Sequence, residues 1–525
     1  MARKLRFRTL VALALLAFPP AVRGADLRIG LASAATSMDP HLFNASANNC
    51  LAMHVFDQLT HRSPDGTIVP WLAEKWMPAG DTNWEFKLRP GVKFHDGSTL
   101  AAGDVAFTLS RIAAMSNNPG GFSAFIRAID TVDVIDAATI RLHTRGPAPN
   151  LPGDLASIAI VSRTAGTGAS AVDYNTGKAA IGTGPYRLEH YIDANRVELT
   201  GDPGWWGGKP EWDRLSIRFI ANGAARVAAL IADDVDIVDA PPAAILPRLK
   251  DDPNLSVFSV DGLRVIFLFL DLSHEPPGPF IAGLDGTALP HNPLRDPRVR
   301  RALSIAINRP GLVDRIMLGT AAATGQWLPP GAFGYAAAVP VPRHDPEQAK
   351  SLLAEAGYPD GFKVTLHTPN DRYPNDAATA QAVAQMWARI GVQTSVETLP
   401  WTSYPGHASR QEFAAGLLGW GNATMEAGTM LINIIGTHDP KTGRGTANFG
   451  RFSDPVLDAL TDRALATLDD TARNSLLVEA VTRATDQVPI IPLYTLVNFW
   501  AARKGIVYEA RRDELTLALN AHLAK

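Results

Sequence analysis

The chain has 525 residues, 46% hydrophobic and 19% charged, and its 49 basic and 52 acidic side chains leave a net charge of −3. A balance so close to neutral, with no Lys/Arg cluster after the first residues, excludes the electrostatic footprint of a nucleic-acid binder. The single cysteine, Cys50, rules out an intrachain disulfide, so a chain long enough for two or three domains must rest on buried apolar surface.

In chain order, Arg3, Lys4, Arg6 and Arg8 precede an unbroken apolar run over residues 10–18, and Val22 and Gly24 suit the positions before a cut. This predicts a cleaved signal segment over 1–24, with Ala25 first in the mature chain. The apolar run is well under the roughly 18 residues that span a bilayer. Cys50 lies far from this segment and reads as a buried bystander thiol, not a lipid anchor. A short strand, DLRIGL, then leads into a polar loop at Ser37-Met38-Asp39-Pro40-His41. Trp84, Phe86 and Leu88 alternate with Glu85 and Lys87, the period of a half-buried strand, and Val92 and Phe94 resume the alternation after Arg89-Pro90-Gly91. That spacing predicts a hairpin. A turn at His95-Asp96-Gly97-Ser98 follows, then a helix whose apolar face carries Val105, Leu109 and Ile112. Paired strands are expected around Val132, Val134 and Ile135 and around Ile140 and Leu142, with a turn at Asp136-Ala137.

Further on, Gly182-Thr183-Gly184-Pro185 is no nucleotide loop, because Pro185 ends the array of amides that a phosphate needs. Val299, Leu303 and Ile307 share a helix face in 296–319. The helix in 344–362 is punctuated by Asp345 as cap, Pro346 at its first position, Gln348 closing a capping box and Gly357 beyond its end. Residues 379–399 read as helix (Val383, Met386, Trp387, Ile390) then strand (Val392, Thr394, Val396), so the second half alternates helix and strand in α/β layers.

The block WLAEKWMPAGDTNWEFKLRPGVKFHDGSTLAAGDVAFTLSRI, residues 71–112, resembles the signature of extracellular solute-binding proteins of family 5, the dipeptide-, oligopeptide- and nickel-type components of ABC importers. The loop at 37–41, the IGTGPY strand entry, the DPGWWGG turn with Trp205, and the helices near 296 and 345 follow in that family's order. The resemblance implies an α/β, bilobal periplasmic-binding-protein fold (type II, cluster C) with an extra domain in the first lobe. Domain I would comprise 25–60, 181–268 and 490–525, domain II 61–180, and domain III 269–489. It also implies a monomeric periplasmic protein, secreted through a cleaved signal peptide, that captures a small solute, foremost a peptide, and delivers it to an ABC permease of the inner membrane. An opine-like or other anionic metabolite, an oligosaccharide or a metal chelate are the alternative ligands.

No catalytic or metal-binding motif accompanies this reading: there is no His-Glu-x-x-His, Gly-x-Ser-x-Gly, Walker loop or paired-cysteine site. A secreted hydrolase and a chaperone-like use of the cleft remain as competitors, and no cofactor or metal is expected. In peptide-binding relatives an Arg of the third domain grips the ligand carboxylate, which points here to Arg372, a planar fork suited to a carboxylate. Those relatives carry an Asp for the ammonium three positions after a Gly-Trp pair; here Trp420 is followed by Asn422 and Ala423, with Glu426 beyond. A neutral side chain at that position leaves a ligand ammonium without its charge partner. Trp401 and Trp420 are expected as aromatic walls of the cleft, and Ser37 and Met38 as neighbours of it.

Overall fold

The computed structural model describes residues 25–115, 121–193, 195–422 and 424–524. The expected signal segment 1–24 and Ala423 lie outside the described residues. Two long antiparallel strands, Leu255–Leu270 and Ile490–Arg503, belong to both halves of the molecule. Leu255 to Asp261 pair with Arg503 to Val497, Val265 to Phe269 pair with Thr495 to Ile490, and the register shifts between Asp261 and Val265. Gly262 sits in that break, where a Cβ would come within 2.7 Å of Asn498 Oδ1 and 2.8 Å of the Leu496 carbonyl. Any larger residue would force the strands apart.

Twelve strands are described in one mixed sheet that passes through this break. In the first lobe Asp26–Leu31 runs parallel to both Arg214–Phe219 and Ile237–Asp239, pairings that require crossover connections. In the second lobe Ala415–Gly421 lies between Leu255–Leu270 and Lys363–Pro369. Here the sheet is covered on both faces, which is why the strand reads as a nearly continuous apolar run. Ile266, Leu268 and Leu417 enter one core and Val265, Phe267 and Leu418 the other. Strand alternation thus gives the second lobe two distinct sides.

An inserted domain carries a four-stranded sheet in the order Ala73–Pro78, Asn83–Leu88, Thr139–Thr144, Ile129–Asp136. The pairing of 129–136 with 139–144 and the helix Ala102–Ala114, with Val105, Leu109 and Ile112 buried, follow the sequence reading. The hairpin does not. Asn83–Leu88 pairs with Ala73–Pro78 and with Thr139–Thr144, while Lys93 makes only an isolated bridge to Thr99. Pro90 and the positive φ of Gly91 (76°) turn the chain out of the sheet plane, and non-local strands supply the partners.

His95 docks this domain onto the first lobe. Its backbone N–H donates to the Gly182 carbonyl at 2.8 Å, its Nδ1 accepts from the Gly182 N–H at 3.3 Å, and its Nε2 reaches the Gly184 carbonyl at 2.9 Å. A Cβ on Gly182 or Gly184 would overlap the Val55 backbone, so the two glycines serve a close approach of chains. Elsewhere the punctuation is local: Asp345 Oδ1 accepts the Gln348 N–H at 2.9 Å and caps Pro346–Glu355.

Candidate functional site

The break in the long strands opens onto a cavity of about 360 Å³ walled by both lobes. The first lobe contributes Ser33, the helix Ser46–Val55 through Ala47 and Cys50, the turn from Asp239 to Ala243, and Glu514 and Thr516. The second contributes Arg264, Thr320, Arg372, Tyr373 and Pro374, and the returning strand supplies Leu496 to Trp500. The volume falls in the range of small-molecule sites, roughly 300–1,000 Å³.

The charged groups in this wall differ in how far the fold has already satisfied them. Asp239 ends the strand Ile237–Asp239; its Oδ1 accepts the Ala32 N–H at 2.8 Å and lies 3.2 Å from Arg226 Nε. Burial nevertheless pushes its carboxyl up to about 6. Arg264 and Glu514 form an ion pair, Nε to Oε1 3.1 Å and Nη2 to Oε2 3.4 Å, that joins the second-lobe end of the long strand to a C-terminal loop. That loop is stitched onto the break: the Arg512 carbonyl accepts the Leu263 N–H at 3.2 Å, and Asn498 Nδ2 donates to the carbonyls of Arg511 and Arg512 at 3.1 Å each.

Arg372 is different. It follows the strand Lys363–Pro369 in a loop held by Asp376, whose Oδ2 accepts the N–H groups of Arg372 and Tyr373 at 3.2 and 3.1 Å. Its guanidinium lies 5.3 Å from the ring centres of both Tyr373 and Trp401, a cation–π setting that fixes its direction. It is exposed, and among the described residues it makes no ion pair.

The other expected positions fall elsewhere. Trp401 stands behind Arg372, edge-on to Tyr373 and stacked on Tyr404. Trp420 is on the opposite side of the sheet, because the alternation of Ala415–Gly421 turns Gly419 and Gly421 toward Tyr373 and Arg264 and Trp420 toward the other core. Its Nε1 is buried without a hydrogen-bond partner among the described residues. Asn422 is fully buried; it donates from Nδ2 to the Glu426 carbonyl at 2.8 Å and accepts from Thr424 at 2.9 Å. Glu426 is 4% exposed and its Oε2 sits 2.6 Å from Arg473 Nη1. Burial raises its carboxyl, against the pull of that guanidinium. Ser37 bonds Asn175 at 2.9 Å and Met38 is in the first-lobe core, so both side chains are used in packing away from the cavity wall.

Asp239, Arg264 and Glu514 were not among the expected site residues. Arg264 had a signal: a lone cation opening the apolar run GLRVIFLFL. Glu514 had none, since nothing local distinguishes it.

Beyond the cavity the lobes touch. Arg62 Nη1 donates to the Thr424 carbonyl at 3.4 Å, Arg512 Nη1 to the Pro330 carbonyl at 3.4 Å, and Leu468 packs against the core of the inserted domain.

A two-lobed body with an inserted domain and an interlobe cavity matches a known family in sequence as well. Residues 67–440 match the model of the bacterial extracellular solute-binding proteins, family 5. The chain belongs to that family. Among curated relatives of this family 5 protein, the dipeptide-binding protein of Escherichia coli is 28% identical over 469 residues, 84% of this chain and 83% of the relative. The heme-binding protein A of Haemophilus influenzae is 26% identical over 487 residues, 87% of this chain and 84% of the relative. Among solved structures, HbpA2 from Haemophilus parasuis superposes with a TM-score of 0.80 at 24% identity, covering 95% of this chain and 100% of that one. An unliganded open form of a periplasmic murein tripeptide binding protein gives 0.79 at 21% identity, covering 95% and 98%. The bilobal family fold expected from residues 71–112 is therefore the fold of this protein. Members of the family are solute-binding proteins, and no described helix is long and apolar enough to cross a membrane.

Proposed function

We propose that this protein captures a short peptide with a free C-terminal carboxylate in the interlobe cavity and presents it to an ABC permease from the periplasm, after removal of residues 1–24. The observation that carries the reading is Arg372: an exposed guanidinium in the cavity wall, aimed by two aromatic rings and unpaired among the described residues. Such a fork takes a carboxylate in two parallel bonds. The names of several relatives, which include dipeptide- and di/tripeptide-binding proteins, support the ligand class.

One charge-assisted contact contributes about 1.5–3 kcal/mol, whereas micromolar capture needs about 8 kcal/mol. Burial against Phe499, Leu496 and Tyr373 and bonds to exposed backbone must supply the rest. Ligand contacts that exist only when the lobes meet drive closure about the break at Asp261 to Val265, a few residues before the expected domain boundary between 268 and 269.

Calorimetry with trialanine and its C-terminal amide tests this. The free acid should bind at least about tenfold more tightly than the amide, and Arg372→Ala should erase the difference. Equal binding of acid and amide, or no binding of either, overturns the reading. N-terminal sequencing of periplasmic protein should begin at Ala25.

A further inference from the structure

We propose that Glu514 receives the ammonium end of the ligand, so that the cavity reads a zwitterion across the two lobes: anion on Arg372 of the second, cation on Glu514 of the first. This rests on the peptide reading above and adds the residue that decides whether a free amine is required.

Among the described residues that line the cavity, the second lobe offers no carboxylate. Position 423 is an alanine in the sequence, Asn422 is neutral and spends its amide on Glu426 and Thr424, and Glu426 is sealed against Arg473 on the far side of the sheet. Any acid for a ligand cation must come from the first lobe, where the cavity wall contains Asp239 and Glu514.

These two are not equivalent. Asp239 is answered from behind by Arg226, whose guanidinium is 3% exposed and fixed by the carbonyls of Ile220, Asp239 and Ala240. Its Oδ1 already takes the Ala32 N–H, and burial holds its carboxyl toward the neutral form. Glu514 has a more open side chain, 32% exposed against 20% for Asp239. Among the described residues its ion-pair partner is Arg264, itself a cavity-wall group. A carboxylate has about four acceptor sites, and Arg264 occupies two of them, one at the long distance of 3.4 Å. The remaining lone pairs are open to a donor in the cavity.

The backbone carries a second sign. Glu514 has φ of +69°, a left-handed conformation that costs a non-glycine residue about 1–2 kcal/mol. A residue held there needs a surrounding that over-determines it. The bonds from Leu263 and Asn498 to the carbonyls of Arg511 and Arg512, with the Arg511–Asp513 ion pair, supply that surrounding. The outcome is a carboxylate set firmly in the cavity wall, so that a ligand whose ammonium it draws can offer its own carboxylate to Arg372 of the other lobe.

The experiment compares trialanine with N-acetyl-trialanine on the full mature chain by calorimetry. Wild type should prefer the free amine by at least about tenfold. Glu514→Gln should remove that preference by weakening only the free-amine peptide, with the melting temperature as a control of folding. Glu514→Asp, which keeps a partner for Arg264, should reduce the preference without abolishing it and serves if the amide variant does not fold. Equal binding of the two peptides by wild type overturns the assignment while leaving the carboxylate reading intact. So does a preference that survives Glu514→Gln, or one lost in Asp239→Asn alone. Failure of wild type to bind either peptide removes both readings together.

Discussion

Arg372 and Arg473 are both second-lobe arginines lying against aromatic rings, on opposite sides of the same sheet. Arg473 sits 4.2 Å from the ring of Phe333 and is clamped between Glu426 at 2.6 Å and Asp470 at 2.8 Å, nearly out of reach of water. Arg372 has the rings of Tyr373 and Trp401 but no ion-paired acid among the described residues, and it lines the cavity. A guanidinium whose counter-charge lies within the chain holds the chain together. One whose counter-charge is missing from the described residues is free for a ligand. The aromatic neighbours are common to both, so they orient the cation without deciding its role.

The largest effect should come from the paired side. Glu426→Ala leaves Arg473 buried without its main partner, and removing one member of a buried pair costs about 3–5 kcal/mol. Guanidinium unfolding of the variant checks this, and a loss below about 1 kcal/mol would break the contrast between the two arginines.

The cavity wall of the first lobe has its own acid sensitivity. His54, in the helix behind Cys50, shares Nδ1 with the Cys50 carbonyl at 2.8 Å and accepts the Ala518 N–H on Nε2 at 3.0 Å. Burial lowers its pKa from 6.5 to about 4, so below pH 6.5 the unfolded chain takes up the proton first. Stability from this group is therefore full above pH 6.5 and lost as pH falls toward 4, in total roughly 3 kcal/mol. Asp57, raised to about 6 by burial, acts with the opposite sign. The test is thus a difference: between pH 7 and pH 4.5 wild type should lose more unfolding free energy than His54→Asn.

On the unpaired side, Arg372→Ala should weaken carboxylate-bearing ligands by about 10- to 100-fold, one charge-assisted contact, and leave stability within about 0.5 kcal/mol. A large loss of stability would place Arg372 with Arg473 as a structural cation. The smallest effect concerns closure. Gly66 has φ of +95°, and a Cβ there would lie 2.6 Å from Met425 Cγ of the other lobe. Gly66→Ala should cost about 1 kcal/mol and favour separated lobes, read as a larger radius of gyration with ligand and a few-fold weaker affinity. Because the obstacle is a flexible side chain, Met425→Ala in the same chain should restore closure but not the backbone cost.

Local elements were legible because their determinants are local. The helix face of Val105, Leu109 and Ile112, the turn at Asp96-Gly97-Ser98 and the Asp345 cap depend on neighbours within a few residues, and each is present. The partner of the strand Asn83–Leu88 was not legible, since edge pairing is chosen by the whole sheet. Residues 92–94 have the right alternation but follow a turn that leaves the sheet plane.

The same division holds for the site. Arg372, the residue proposed for a ligand carboxylate, could be singled out from a family pattern and from what a guanidinium does, and it lines the cavity. The burial of Glu426 could not, because Arg473 is 47 residues away, and neither could the pairing of Arg264 with Glu514, 250 residues apart. Nor could the side to which Trp420 points, which rests on the phase of a strand within its sheet.

On its own, the sequence determined the family, through motifs that stand in that family's order, and the local elements and the chemistry available at each position, which follow from periodicity, punctuation and side-chain type. Tertiary structure alone decided which charges are spent and which are free. A charge is neutralised by whatever lies within a few ångströms of it, and chain crossings far apart in sequence set those distances.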